Sequence, residues 1–163
     1  MNDPLRSTIR RVQNLVRAVR STVAPNDSGT VQTVQVKHSS GQTVDAVKTM
    51  QHYGFASVPP VGTDYVVVHV AGDTSNGVAI GSNHQESRPT GGSAGRVVVY
   101  DSSGTVVVLD PSTGNVTLKP SGGTVSVVGK LDVSEDATIG GKSFLQHVHG
   151  NVQAGSGETG IPA

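Results

Sequence analysis

Two imidazoles near the end of the chain are the residues best suited to chemistry. They are His147 and His149, in the run Gly140-Gly141-Lys142-Ser143-Phe144-Leu145-Gln146-His147-Val148-His149-Gly150. In an extended strand an i, i+2 pair points to one face, and neutral imidazole is a very common metal ligand. Two ligands do not complete a structural metal site, which ordinarily needs four. No third ligand of the right kind stands nearby in sequence, and the absence of cysteine removes thiolate sites and disulfides alike. In a single chain the His-x-His is therefore a weak metal signal. Three copies on a threefold axis change this, because they present six nitrogens in an octahedral array. That set suits a first-row ion such as Fe(II) better than tetrahedral zinc. With all six positions filled, no place remains for a substrate, so such a site would be structural.

The other motifs carry less. Gly155-Ser156-Gly157-Glu158-Thr159-Gly160 matches G-x-G-x-x-G, but three remaining residues cannot make the helix a dinucleotide site requires. It reads better as a strand end folding round an apex. There is no nucleophile elbow, His-Glu-x-x-His or phosphate-binding loop. A metal-dependent hydrolase built on His147 and His149 would need an open coordination position and a general base, and no convincing base lies near them. His38, His52, His69 and His84 are scattered, and each is expected to be exposed or hydrogen-bonded rather than a ligand. No catalytic residue is assigned, and the chain is not read as an enzyme.

The elements that must position the histidines follow from composition. The chain has 163 residues, zero formal net charge and 3% aromatic residues, but 29 valines and 21 glycines. Aromatic side chains normally dominate core energetics, so a chain built from Val and Gly has little volume for one compact monomeric core. No run of about 18 apolar residues is present to cross a membrane as a helix. Residues 1–20 carry Arg6, Arg10, Arg11, Arg17 and Arg20 against Asp3. They lack the uninterrupted apolar stretch of a secretory signal. Asp3 as N-cap, Pro4 at the first helical position, and Leu5, Ile9, Val12, Val16 and Val19 at heptad spacing predict a helix over 1–20.

From Ser21 to about Glu86 the period becomes two. Strands are expected at 30–37, 43–50, 51–57, 65–70 and 78–83, which suits a small Greek-key barrel such as an OB-fold. A Gly-rich linker follows at 87–95. Beyond it a repeat of one short strand and one tight turn recurs, with alternate apolar pairs Val97/Val99, Val106/Val108, Val116/Leu118 and Val125/Val127. Such units cannot close a core alone and must stack or share one between chains. Three chains round a narrow axis would bury small valines where aromatics would not fit. The expected organisation is a helix at 1–20, an OB-fold-like domain at 21–90, a shaft at 91–140 and a tip at 141–163.

At this point the residues carry a resemblance. Gln51-His52-Tyr53-Gly54-Phe55, Val58-Pro59-Pro60-Val61-Gly62-Thr63-Asp64, Gly72-Asp73 and Asn83-His84-Gln85-Glu86-Ser87-Arg88-Pro89 resemble the central spike, or baseplate assembly protein V, of Mu-like contractile-tail bacteriophages. The ending His147-Val148-His149-Gly150 with Gly155–Gly160 is similar to the tip of those spikes. The resemblance implies a mainly β homotrimer. An OB-fold domain would join the tail hub, and an intertwined triple-stranded β-helix would form the shaft. The apex would hold one iron ion through His147 and His149 of each chain. Some members also hold calcium and chloride in the shaft; Asp132 and Asp136 are possible calcium ligands that no motif fixes. The implied role is a structural spike of the virion tail baseplate, made in the host cytoplasm, that pierces the host outer membrane on tail contraction. The alternative is an OB-fold module binding a glycan or nucleic acid, with a trimerising tail. Residues 21–90 offer few stacking aromatics and only Lys37, Lys48 and Arg88 as basic residues, so nucleic acid is not expected as a partner.

Overall fold

The computed structural model describes residues 4–38, 41–148 and 155. Two compact units are present, Met1–Thr124 and Val125–Ala163. The fold is mainly β, with one short helix, α1 (Pro4–Asn14), whose side chains are all at least partly exposed. Pro4 starts it as expected, and the hydroxyls of Ser7 and Thr8 donate back to the Pro4 carbonyl. The helix is shorter than the 1–20 expected from the heptad spacing. Val16 and Val19 belong instead to strand β1 (Val16–Ser21). The same residues satisfy both periods: Val19 and Ser21 also alternate with Arg20. Pairing decides between them, because β1 runs antiparallel to β4 (Asp64–His69) from Val16↔Val68 to Arg20↔Asp64. Propensity is a weak prior that such tertiary contacts override.

The remaining barrel strands are β2 (Thr33–Lys37), β3 (Thr43–Thr49) and β5 (Gly77–Asn83). The sheet closes in the order β1-β2-β3-β5-β4, with β3 and β5 parallel and the other pairs antiparallel. Five strands closing in this way make an OB-like Greek-key barrel. Its core is small and built of alternating inward residues: Val19, Val34, Val36, Val47, Tyr65, Val67 and Ala79.

The strand expected at 51–57 does not form. That segment is a loop tied to itself: the Gln51 side chain accepts from the Ser57 N–H at 2.7 Å and donates to its carbonyl at 2.9 Å. A turn from the His52 carbonyl to the Phe55 N–H, at 3.0 Å, closes its tip. The missing barrel strand is β1. Val58-Pro59-Pro60-Val61-Gly62-Thr63 is the entry to β4. There the buried Ser21 hydroxyl accepts from the N–H groups of Gly62 and Thr63, and Thr63 donates to the Pro60 carbonyl at 2.6 Å.

Beyond the barrel, β6 (Val97–Tyr100), β7 (Val106–Asp110) and β8 (Asn115–Lys119) form an antiparallel three-stranded sheet within one chain. The register pairs Val97↔Leu109↔Val116 and Val99↔Val107↔Leu118. Directly opposed residues share a face, so one face of this sheet consists of six apolar side chains. The second repeat therefore contributes Val107 and Leu109 to that face, not the expected Val106 and Val108. Antiparallel pairing shifts its parity, and the run Val106-Val107-Val108-Leu109 is apolar at both parities. Residues 124–128 and 131–133, expected as further strands, are not in strands. The second unit holds a two-stranded hairpin, β9 (Thr138–Ile139) with β10 (Lys142–Ser143).

Candidate functional site

The candidate metal ligand His147 is positioned by the β9–β10 hairpin. Gly140 and Gly141 both have positive φ, 59° and 80°, the conformation a two-residue hairpin turn of type I′ demands. The chain leaving β10 is then held by the Asp136 carboxylate, which accepts from the Leu145 N–H, and by the Ser143 hydroxyl, which accepts from the Gln146 N–H. Phe144 donates its N–H to the Ala137 carbonyl at 2.7 Å. The Ser143 hydroxyl and the backbone amides of Leu145, Ala137 and Phe144 hold the Asp136 carboxyl below its ordinary pKa. That carboxylate is thus committed to the local turn.

At the end of this scaffold the His147 ring lies 5.9 Å from the Phe144 ring, and its Nδ1 is 2.6 Å from the Phe144 carbonyl. A carbonyl only accepts, so Nδ1 carries the proton and the lone pair is on Nε2. In this tautomer Nε2 is the nitrogen with which the ring could ligate a metal, and a carbonyl bond of this kind commonly orients such ligands. Residue His147 therefore fits a metal-ligand role. His149, the other expected ligand, and all of the G-x-G-x-x-G run except Gly155 lie outside the described residues. Among the described residues of one chain, no group of three His, Asp or Glu side chains gathers to hold a metal, and this includes Asp132 and Asp136.

The barrel holds two further arrangements that sequence reasoning did not find. Buried Gln32 donates to Asp27 and to the Ser57 carbonyl, and accepts from the Thr49 hydroxyl. This fixes the base of the 51–57 loop, whose Tyr53 and Phe55 side chains remain exposed. At the α1–β1 corner, His38 and His69 are both buried, with ring centroids 5.7 Å apart. Of the other histidines, His52 is exposed and His84 bonds the Ser87 hydroxyl.

Residues 17–86 match the family model described as Bacteriophage Mu Gp45, N-terminal. The barrel resembles the N-terminal part of the Mu Gp45 family. Its five strands, from Val16 to Asn83, coincide with the matched residues almost end to end. The chain is 40% identical over 92 residues to the Mu-like prophage FluMu protein gp45 of Haemophilus influenzae, covering 56% of this chain and 49% of that protein. It is 32% identical over 101 residues to the baseplate puncturing device gp45 of Escherichia phage Mu, covering 61% of this chain and 50% of that protein. The chain thus spans about half the length of the curated relatives it matches. The resemblance to Mu-like spikes read from the motifs of residues 51–89 is borne out by these matches. No helix among the described residues is long and apolar enough to cross a membrane.

Proposed function

We propose that this chain is a structural, non-enzymatic spike subunit at the tip of a contractile phage-tail baseplate. The observation that carries the reading is the match of the barrel residues to the Gp45 family model, beside the likeness to a relative named a baseplate puncturing device. In this reading three chains assemble. The barrels dock on the tail hub, the C-terminal repeats wind into a triple-stranded β-helix, and the apex pierces the host outer membrane when the tail contracts. Nucleic acid has no part in it. The spike resides in the virion baseplate after synthesis in the host cytoplasm.

The β6–β8 sheet supports the shared shaft. Val97, Val99, Leu109, Val116 and Leu118 of its apolar face are each exposed in the single chain. Burial of apolar surface is the main drive for association, and three such faces turned to one axis would cover one another. The exposed Tyr53 and Phe55, on a loop anchored by Gln32 and Gln51, suit the barrel to docking on other baseplate proteins.

His147 and His149 of three chains would hold one iron ion at the apex. The bound ion would supply binding free energy that exists only in the trimer, linking metal content to assembly. Calcium or chloride in the shaft would likewise draw ligands from more than one chain.

Light scattering on the purified full chain tests the assembly, with three times the chain mass expected; a stable monomer overturns the reading. Elemental analysis tests the apex. Native protein is expected to carry one iron per three chains, and the His147→Ala/His149→Ala double variant none, with the far-UV spectrum of the barrel retained. Undiminished iron in the variant removes the site.

A further inference from the structure

The α1–β1 corner is fastened to the barrel through two histidines that the spike reading does not use. His69 donates its backbone N–H to the Leu15 carbonyl at 2.8 Å, and its ring Nδ1 lies 2.8 Å from the Asn14 carbonyl. Since a carbonyl only accepts, Nδ1 of His69 carries the proton. Arg17 donates to the Asn14 side chain and lies 3.4 Å from His38 Nδ1. A guanidinium only donates, so the proton of neutral His38 sits on Nε2. Both Nε2 atoms are buried without a hydrogen-bond partner among the described residues. His69 is 1% exposed and His38 3%. Gly77 lies so close to the His69 ring that a Cβ there would stand 3.4 Å from Nε2 and 2.9 Å from Val67.

We propose that His38 and His69 form an acid-released latch that holds the α1–β1 corner on the barrel. A second proton on His38 must go to Nδ1, where it replaces the bond from Arg17 and sets two cations face to face. The charges around His38 do not compensate. On the β1–β2 side stand Arg17, Arg20 and Lys37, with Asp64 already paired to Arg20. On the α1 side stand Arg11 and Asp73, whose carboxylate accepts from the backbone and hydroxyl of Ser75. An unpaired charge in such a place is costly, and the four bonds at Asn14, Leu15 and Arg17 are the ones whose opening admits water.

Burial holds His38 below its ordinary pKa, with Arg17 and His69 adding to the effect. The opened form takes up the proton near the ordinary histidine value of about 6.5. The latch is therefore fully held above that pH and loosens as the pH falls below it toward the lowered native value.

Hydrogen exchange by mass spectrometry on the full chain at pH 7.5 and 5.5, corrected for the intrinsic chemical rate, tests this. Peptides within residues 4–21 are expected to exchange severalfold faster at pH 5.5, up to about tenfold, with β3 and β5 unchanged. In a His38→Asn/His69→Asn variant, an asparagine amide can accept from Arg17 and donate to the Asn14 carbonyl without titrating, and the pH effect is expected to vanish. Equal protection at both pH values, the same change in the variant, or loss of protection throughout the barrel overturns the latch. Should the variant not fold, imidazole NMR of the native chain decides. Rings that protonate only as the corner opens support the latch; rings that titrate freely with the corner closed refute it.

Discussion

Ala46 adopts φ 55° inside β3, at the bulge where Val36↔Val44 and Val34↔Val47 leave two residues of β3 opposite one of β2. The left-handed position of such a bulge is glycine's, and an L-residue there costs roughly 1–2 kcal/mol. The Ala46 N–H already finds the Asp45 carboxylate, and its side chain is exposed, so nothing is lost from the core by removing the methyl. Ala46→Gly is expected to raise the urea midpoint, by about 1 kcal/mol of stability after the entropy glycine adds to the unfolded chain; a lowered midpoint would refute the strain. At this scale the His-x-His spacing that singles out His147 and His149 is visible in sequence, whereas the turn that sets the His147 ring against the Phe144 carbonyl is not. The roles of His38 and His69 were not visible either. His69 depends on the Asn14 and Leu15 carbonyls, which only the fold brings to its ring and its backbone N–H from more than fifty positions away, and His38 depends on Arg17.

At the scale of elements, the turns repeat one device: an Asx side chain accepts from the backbone N–H and the hydroxyl of the serine two residues on. It occurs at Asn26/Ser28, Asp73/Ser75, Asp101/Ser103 and Asp110/Ser112. This Asx-turn chemistry is why the sequence marks its turns well. The serine hydroxyl is the largest influence holding the Asp73, Asp101 and Asp110 carboxyls below their ordinary pKa. Their ionised forms therefore support the folded state above the unfolded value of about 3.9, and that support is lost as the pH falls through the lowered native values. A carboxyl-carbon NMR titration is expected to give Asp101 a midpoint below that of a model peptide, and the Ser103→Ala variant is expected to move it back up; an unmoved midpoint would discount the turn. Strand positions between such turns were readable from their period of two. In the barrel two elements were not. In β1 a helical and a strand period coincide on Val16 and Val19, and in 51–57 the pairing of Gln51 with Ser57 replaces a ladder that composition alone would allow.

For the whole molecule the scarce aromatic volume and the repeat register meet in one surface. The sequence showed that the repeats were too thin to close alone. It could not show which valines face together, since Val106-Val107-Val108-Leu109 offers two equivalent parities. The antiparallel register resolves this by placing Val97, Val99, Val107, Leu109, Val116 and Leu118 on one side, and Val98, Tyr100, Val106, Val108, Asp110, Asn115, Thr117 and Lys119 on the other. The second side carries the polar residues that tolerate water, so in the trimer reading the first side is the one to be shared. A charge introduced there must be buried unpaired on assembly, which is strongly unfavourable, whereas a polar change on the other side stays solvated. Val116→Asp with Leu118→Asp is therefore expected to leave a folded, monomeric barrel by light scattering and far-UV spectroscopy. Val98→Thr with Val108→Thr, on the opposite side, is expected to keep the native mass. Should the aspartates leave the mass unchanged while the threonines reduce it, the face used for assembly is the polar one, and the shaft packs with the opposite parity.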